Sequence, residues 1–287
     1  MASRMIRLFQ WMCAGTLSAM VVPVLAAPAG SVIDVVGEVT VTRNAAKIKA
    51  GLFDNLHVGD VISIPQGARL VMTHNLTRTE YSLSMPGEFD VGTDDVKQKG
   101  GGRAQGKNLT ELAVLSLAQD GSKGRRTVGA AHMRGFTPPA TVPMDGETIL
   151  TRTPELSWPP QAGVTGYQLV LKKEDGISLL ESTLDKTRYL IESESLLDWG
   201  ARYQWNVTAE KDGGRSNITR SFRVIDSQNR EHLDRIKPGP DGEFSAWVIY
   251  AKSLEHLGAF TEARAVWSRL QKMRPDLTIL EGLAKGR

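Results

Sequence analysis

Any chemistry in this 287-residue chain would have to come from a short supply of reactive side chains. The five histidines, His57, His74, His132, His232 and His256, are widely spread, and no two stand one helical turn apart, the spacing that lets imidazoles share a metal. No Gly-x-Ser-x-Gly turn offers a serine nucleophile. Residues 101–108 (Gly-Gly-Arg-Ala-Gln-Gly-Lys-Asn) come close to a phosphate-cradling loop, but Asn108 stands where Ser or Thr must hold magnesium. The stretch before it, with Asp94, Asp95, Lys97 and Lys99, is too charged for the buried strand such a loop follows. Asp60 follows Gly59 and has no histidine or carboxylate partner at useful spacing, so its expected role is to close a turn by accepting backbone N–H bonds. Carboxylates such as Glu192 and Glu194 could find partners only in space. The sequence therefore predicts no catalytic residue, no cofactor and no metal site, and a protein that is not an enzyme.

Binding is the remaining route to function. Lys97, Lys99, Arg103, Lys107, Arg125 and Arg126, set among glycines, are candidates for gripping an anionic polymer such as lipopolysaccharide or teichoic acid. The competing reading is a solvated linker kept open by its charge. A formal net charge of +3, with both signs interspersed, gives no reason to expect nucleic acid.

The N-terminus sets the expected compartment. Arg4 and Arg7 precede a mostly apolar stretch, residues 8–24, and Val24-Leu25-Ala26 places small residues where a signal peptidase reads. Residues 1–26 are thus expected to be a signal peptide. Cys13, the only cysteine, lies within it, so the mature chain is expected to hold no thiol, disulfide or thiolate metal site. No other run approaches the roughly 20 apolar residues of a membrane span, so the mature chain is not expected to cross a membrane.

Residues 30–92 read as many short strands. Val39 and Val41 alternate with Thr40 and Thr42, Gly59-Asp60 precedes Val61-Ile62-Ser63-Ile64, and Pro65-Gln66-Gly67 marks a turn. Gly37-Glu38-Val39, Leu56 with Gly59-Asp60-Val61-Ile62, Gly67-Ala68-Arg69-Leu70, and Pro86 before Phe89 resemble the FecR-like periplasmic domain, a small β-domain. One departure is His74-Asn75-Leu76-Thr77-Arg78, where that family usually has an acidic-Gly turn. Residues 93–145 read as a Gly-rich, basic and Pro-rich linker, with 109–117 able to form a short helix or strand.

Residues 146–226 start a second β pattern. Tyr167, Leu169 and Leu171 alternate with polar neighbours, Lys173–Gly176 and Lys211–Gly214 make hairpin turns, and Tyr203, Trp205, Val207 and Ala209 share one face. Roughly seven short strands argue for a β-sandwich. Leu197-Asp198-Trp199-Gly200-Ala201-Arg202-Tyr203 resembles the tyrosine corner of immunoglobulin-like and fibronectin type III domains. Trp158 and Trp205 fall at expected core positions, which favours packing over stacking on sugar.

Residues 227–287 change to helical spacing. Trp247, Tyr250, Ala251, Leu254, Gly258, Phe260, Ala263, Trp267, Leu270 and Pro275 resemble one tetratricopeptide repeat, a helix–turn–helix of about 34 residues. A lone repeat leaves apolar surface uncovered, so this end is expected to recruit another envelope protein or to self-associate. The expected fold is mainly β with a C-terminal α-helical part. The resemblances imply a bacterial, periplasmic, non-enzymatic binding or scaffold protein, an adaptor of the cell envelope. The alternatives are a FecR-type signal-transduction regulator component and a secreted hydrolase of envelope glycan.

Overall fold

The computed structural model describes residues 27–118, 141–211 and 214–286. The expected leader, Arg125 and Arg126 lie outside the described residues, as does the side chain of Arg103. The chain is mainly β, with helices gathered at its C-terminal end.

The first β unit comprises β1 (Gly30–Val36), β2 (Thr40–Arg43), β3 (Ala46–Lys49), β4 (Asn55–Leu56), β5 (Val61–Ile64), β6 (Arg69–His74), β7 (Thr79–Leu83), β8 (Gly87–Val91), β9 (Val96–Gln98), β10 (Gly102–Arg103) and β11 (Gln105–Asn108). They form two sheets, ordered β11-β7-β6-β1-β4 and β10-β9-β8-β5-β2-β3. Alternation decides which side chains enter the shared core. Ile62 and Ile64, Tyr81 and Leu83, and Phe89 and Val91 turn inward, while their neighbours meet solvent to varying degrees.

One strand breaks that rule. From Gly30 to Val35 every residue of β1 is buried, because the strand is covered on both sides. A register shift against β6 lies between Val32 and Asp34. Val32 faces the β core and Ile33 a second cluster made with the helices, and the shift keeps Asp34, opposite Val71, on the helix side with Ile33 before Val35 returns to the β core.

The segment expected as a linker is folded over its described first part. β9 pairs with β8, setting Val96 opposite Val91, and β11 pairs with β7. The helix α1 (Glu111–Ala118) buries Leu112, Ala113 and Leu117. Strands of two to four residues rich in Gly, Lys and Gln carry no pattern of their own, and the partner strand supplies their order.

The second unit has the expected seven strands: β12 (Glu147–Ile149), β13 (Glu155–Ser157), β14 (Tyr167–Lys173), β15 (Ser178–Leu184), β16 (Arg188–Leu190), β17 (Arg202–Lys211) and β18 (Gly214–Val224). Five make one sheet, ordered β12-β18-β17-β14-β15, and β13 and β16 make a two-stranded one. Tyr167, Leu169, Leu171, Trp205 and Phe222 form the core with Trp158 and Leu197. The phenol of Tyr203 accepts a 2.6 Å bond from the Asp198 N–H, tying the corner before β17 to that strand.

Four helices follow. Asp226 caps α2 (Ser227–Ile236) by accepting from Asn229 N–H, and α3 (Phe244–His256) turns at Gly258 into α4 (Phe260–Met273), ahead of α5 (Ile279–Ala284). Gly258 has φ +82°, a left-handed turn that glycine adopts without strain. Ala251 and Ala263 are buried between the helices and allow close approach.

Most of the apolar stripe on these helices is covered from within the chain, while Phe260, Met273 and Ile279 stay exposed. Trp247, Val248, Ala251, Leu254, Trp267 and Leu270 form one cluster with Ile33, Leu52 and Val71 of the first unit, with α1, and with Ile225 beyond β18. Sequence spacing revealed the apolar stripe but not its cover, which comes from residues far away along the chain. Among the described residues no helix is long and apolar enough to cross a membrane.

Candidate functional site

A set of charged and aromatic side chains outside the β cores lies where the first β unit meets α3 and α4. Asp34 is its centre. The inward turn of β1 carries this carboxylate to 1% side-chain exposure, where an unpaired charge would be prohibitive. It accepts from Arg69 at 2.6 Å and from Arg274 at 2.9 Å. Arg274, just past α4, also donates to the Val35 carbonyl and to Asp276 and lies over the Phe244 ring. Its pKa is raised, first by the bond to Asp276 and also by Asp34. A cation at this helix end also meets the negative pole of the helix.

The second part is Lys252, a buried cation in the middle of α3. Its Nζ lies 4.8 Å from the centroid of the Phe53 ring and 5.6 Å from that of Trp267. Glu255, one turn along the same helix, accepts from Lys252 at 3.1 Å and from the Trp267 indole N–H at 2.7 Å. Phe53 reaches this place from a turn at φ +69°, a strained conformation for a bulky residue. Its ring then stands edge-on to Trp267 at 5.9 Å.

The second β unit reaches the helices through strand ends. Glu147, buried at the start of β12, accepts from Met144 N–H and from Thr261 N–H in the first turn of α4. Thr148 N–H donates to the Gly258 carbonyl, and Arg230 of α2 donates to the Leu150 carbonyl. Burial pushes the Glu262 carboxyl up, and nearby Glu147 adds to the effect. Across the molecule, burial also raises the Glu80 carboxyl, which accepts a 3.1 Å bond from Ser245 of α3.

These groups neutralise and hold one another, so the arrangement joins modules. Among the described residues, no group of three or more histidine, aspartate, glutamate or cysteine side chains could hold a metal ion. Of the six basic binding candidates, Lys97, Lys99 and Lys107 have described side chains. Lys97 pairs with Asp95 at 3.2 Å and Lys99 with Glu88 at 2.9 Å, while Lys107 sits in the other sheet. Asp60 closes its turn as expected, accepting from His57 N–H at 2.8 Å. Arg43 also forks onto it at 2.8 and 2.6 Å. Burial pushes this carboxyl up, yet the Arg43 and His57 bonds outweigh it and hold it below the usual value.

His74 proves to be a turn organiser. Its Nδ1 accepts from Thr77 N–H at 3.3 Å, which leaves Nε2 to donate to the Gly92 carbonyl at 3.2 Å. Trp158, Trp205, Trp247 and Trp267 are all buried. An open crevice of about 540 Å³ is lined by Lys173, Glu174, Asp175, Gly200, Ala201, Arg202 and Arg223. Its cations are engaged by Asp198, Glu174 and Asp226.

Asp34, Phe53, Lys252 and Arg274 did not stand out in the sequence. The usable signal was a lone charge inside an apolar run, as in Val32-Ile33-Asp34-Val35-Val36 or Ile249-Tyr250-Ala251-Lys252. Comparison of the chain with protein-family models and with curated proteins finds no match.

Proposed function

We propose that this chain is a non-enzymatic scaffold exported to the bacterial periplasm, an adaptor that displays two β surfaces from one rigid helical hub. In this reading the units are a FecR-like domain, a fibronectin III or Ig-like sandwich and a TPR-like hairpin. The partner is another envelope protein. The observation that carries the reading is the single apolar cluster to which both β units and all the helices contribute. Such a hub fixes the modules relative to one another, which suits presentation of surfaces better than turnover.

Because the hub covers Ile33, Leu52 and Val71, the test should keep the chain whole rather than remove its helices. A photoreactive residue would replace exposed Val58 in the first unit or exposed Leu190 in the second, in living cells. The expected result is a discrete crosslink to one envelope protein from at least one position. Absence of any specific adduct, or hydrolysis of envelope glycan by the purified chain, would overturn the reading.

A further inference from the structure

A second docking element lies far from the hub, at the free edge of the second β unit. β15 ends the five-stranded sheet and pairs only with β14. Among the described residues, no backbone bond is formed on its other side. A bare edge of this kind offers a row of donors and acceptors to an incoming strand. The other edges are blunted. β4 and β10 are two residues long and β12, β13 and β16 are three, β3 carries Lys47 and Lys49, β11 holds Gly106 and Lys107, and the length of β18 that β12 does not flank carries Arg215 and Arg220. By contrast, β15 runs Ser-Leu-Leu-Glu-Ser-Thr-Leu over seven residues with no Gly or Pro and one charge.

The strand also fits itself in one register. Leu180, Ser182 and Leu184 lie opposite Leu171, Leu169 and Tyr167 and so face the core side, whereas Glu181 and Thr183 face outward. A two-fold axis through two antiparallel edges must set like faces together, so residues of the same face oppose each other. Centring on Glu181 would set that carboxylate against its own copy, and centring on Thr183 would set it against Asp185. Centring on Leu180 would leave Leu184 opposite Gly176. Centring on Ser182 pairs Leu180 with Leu184 twice and Glu181 with Thr183 twice, with no like charges opposed.

We propose that a second copy of this chain docks antiparallel on β15 in the register centred on Ser182, joining the two sheets into one. A seven-residue edge falls short of the roughly 1,200–2,000 Å² of a stable complex, so the dimer should be weak and concentration-dependent. This surface is separate from the hub and does not depend on the adaptor reading.

Cysteine crosslinking tests the register directly. In a Cys13→Ser background, Ser182→Cys places two thiols across the two-fold, within the roughly 4.4–6.8 Å Cα separation a disulfide needs, whereas Glu181→Cys does not. Mild oxidation should trap a covalent dimer at position 182 and far less at 181. Sedimentation velocity of the intact chain gives the second arm. Thr183→Glu sets carboxylates opposite Glu181 and should weaken association about tenfold, while Thr183→Lys should strengthen it. Thermal unfolding of each variant would check that the sheet is intact. Monomer at all concentrations, open-ended larger assemblies, or equal trapping at positions 181 and 182 would overturn the proposal.

Discussion

The two β units meet the same helices in different ways. The first offers a sheet face: Ile33 and Val71, on neighbouring strands, enter the helical cluster, and Asp34 anchors Arg274 beside them. The second offers strand ends, through Ile225, Glu147 and the carbonyls around β12, while the outward face of its main sheet stays polar. The contrast between β1 and β14 makes the point. β14 alternates buried and more exposed residues, whereas β1 has lost alternation along nearly its whole length. A strand buried on both sides marks where a module is joined through its body.

The contrast is most severely tested by Trp267→Ala. Removing this fully buried ring should cost about 3–5 kcal/mol in denaturant unfolding and lower hydrogen-exchange protection in β1 as well as α4. Trp205→Ala, at the centre of the second core, should cost a similar amount yet spare β1. If both variants loosened β1 equally, the distinction between a face and an end would fail.

Asp34→Ala comes next. It leaves Arg274 and Arg69 facing each other without their carboxylate, and a loss of about 2–3 kcal/mol is expected. That is below the full cost of breaking a buried pair because Arg69 is 42% exposed and solvated. Urea titration of the variant against the parent chain measures it.

Acid separates the two units further. Asp60 in the first unit has a folded pKa below its unfolded value, so its stabilisation is present above the unfolded pKa and fades as pH falls through the folded one. Glu262, at the end joined to the second unit, is shifted the other way. Its contribution is present below the unfolded pKa and is lost as pH rises through the folded one. Glu262→Gln should therefore raise stability near pH 7 and change little near pH 4, relative to an ordinary glutamate pKa of about 4.3. Asp60→Asn should lower stability near pH 7 and have a smaller effect in acid. Equal effects at both pH values would contradict the assignment of opposite shifts.

The smallest effect is expected at the β2–β3 turn, where Asn44 and Ala45 have φ of 48° and 64°. Asn tolerates this conformation and Ala does not, so Ala45→Gly should stabilise the chain by about 0.5–1 kcal/mol in the same urea titration.

Much of this architecture was legible in the sequence. Helical spacing from Trp247 to Leu270 gave both helices of the hairpin, and Gly258 marked their turn. Alternation in Tyr167–Lys173 and Arg202–Lys211 gave the sheet of the second unit. What escaped notice depended on distant partners. β9 and β11 are too short and polar to announce themselves, and are ordered by β8 and β7. The cover of the helical stripe comes from Ile33, Leu52 and Val71, about two hundred residues away in sequence, a distance no local period can encode. The junction was equally hidden, because Asp34 looks like a solvent-facing residue until β1 is seen to be covered on both sides.

The most direct test of the shared hub is native-state hydrogen exchange on the intact chain. The slowest amides of β1 and of α3 should open with the same free energy, and Arg274→Met should lower both by the same amount. Opening of α3 and α4 while β1 keeps its full protection would contradict a common cooperative core.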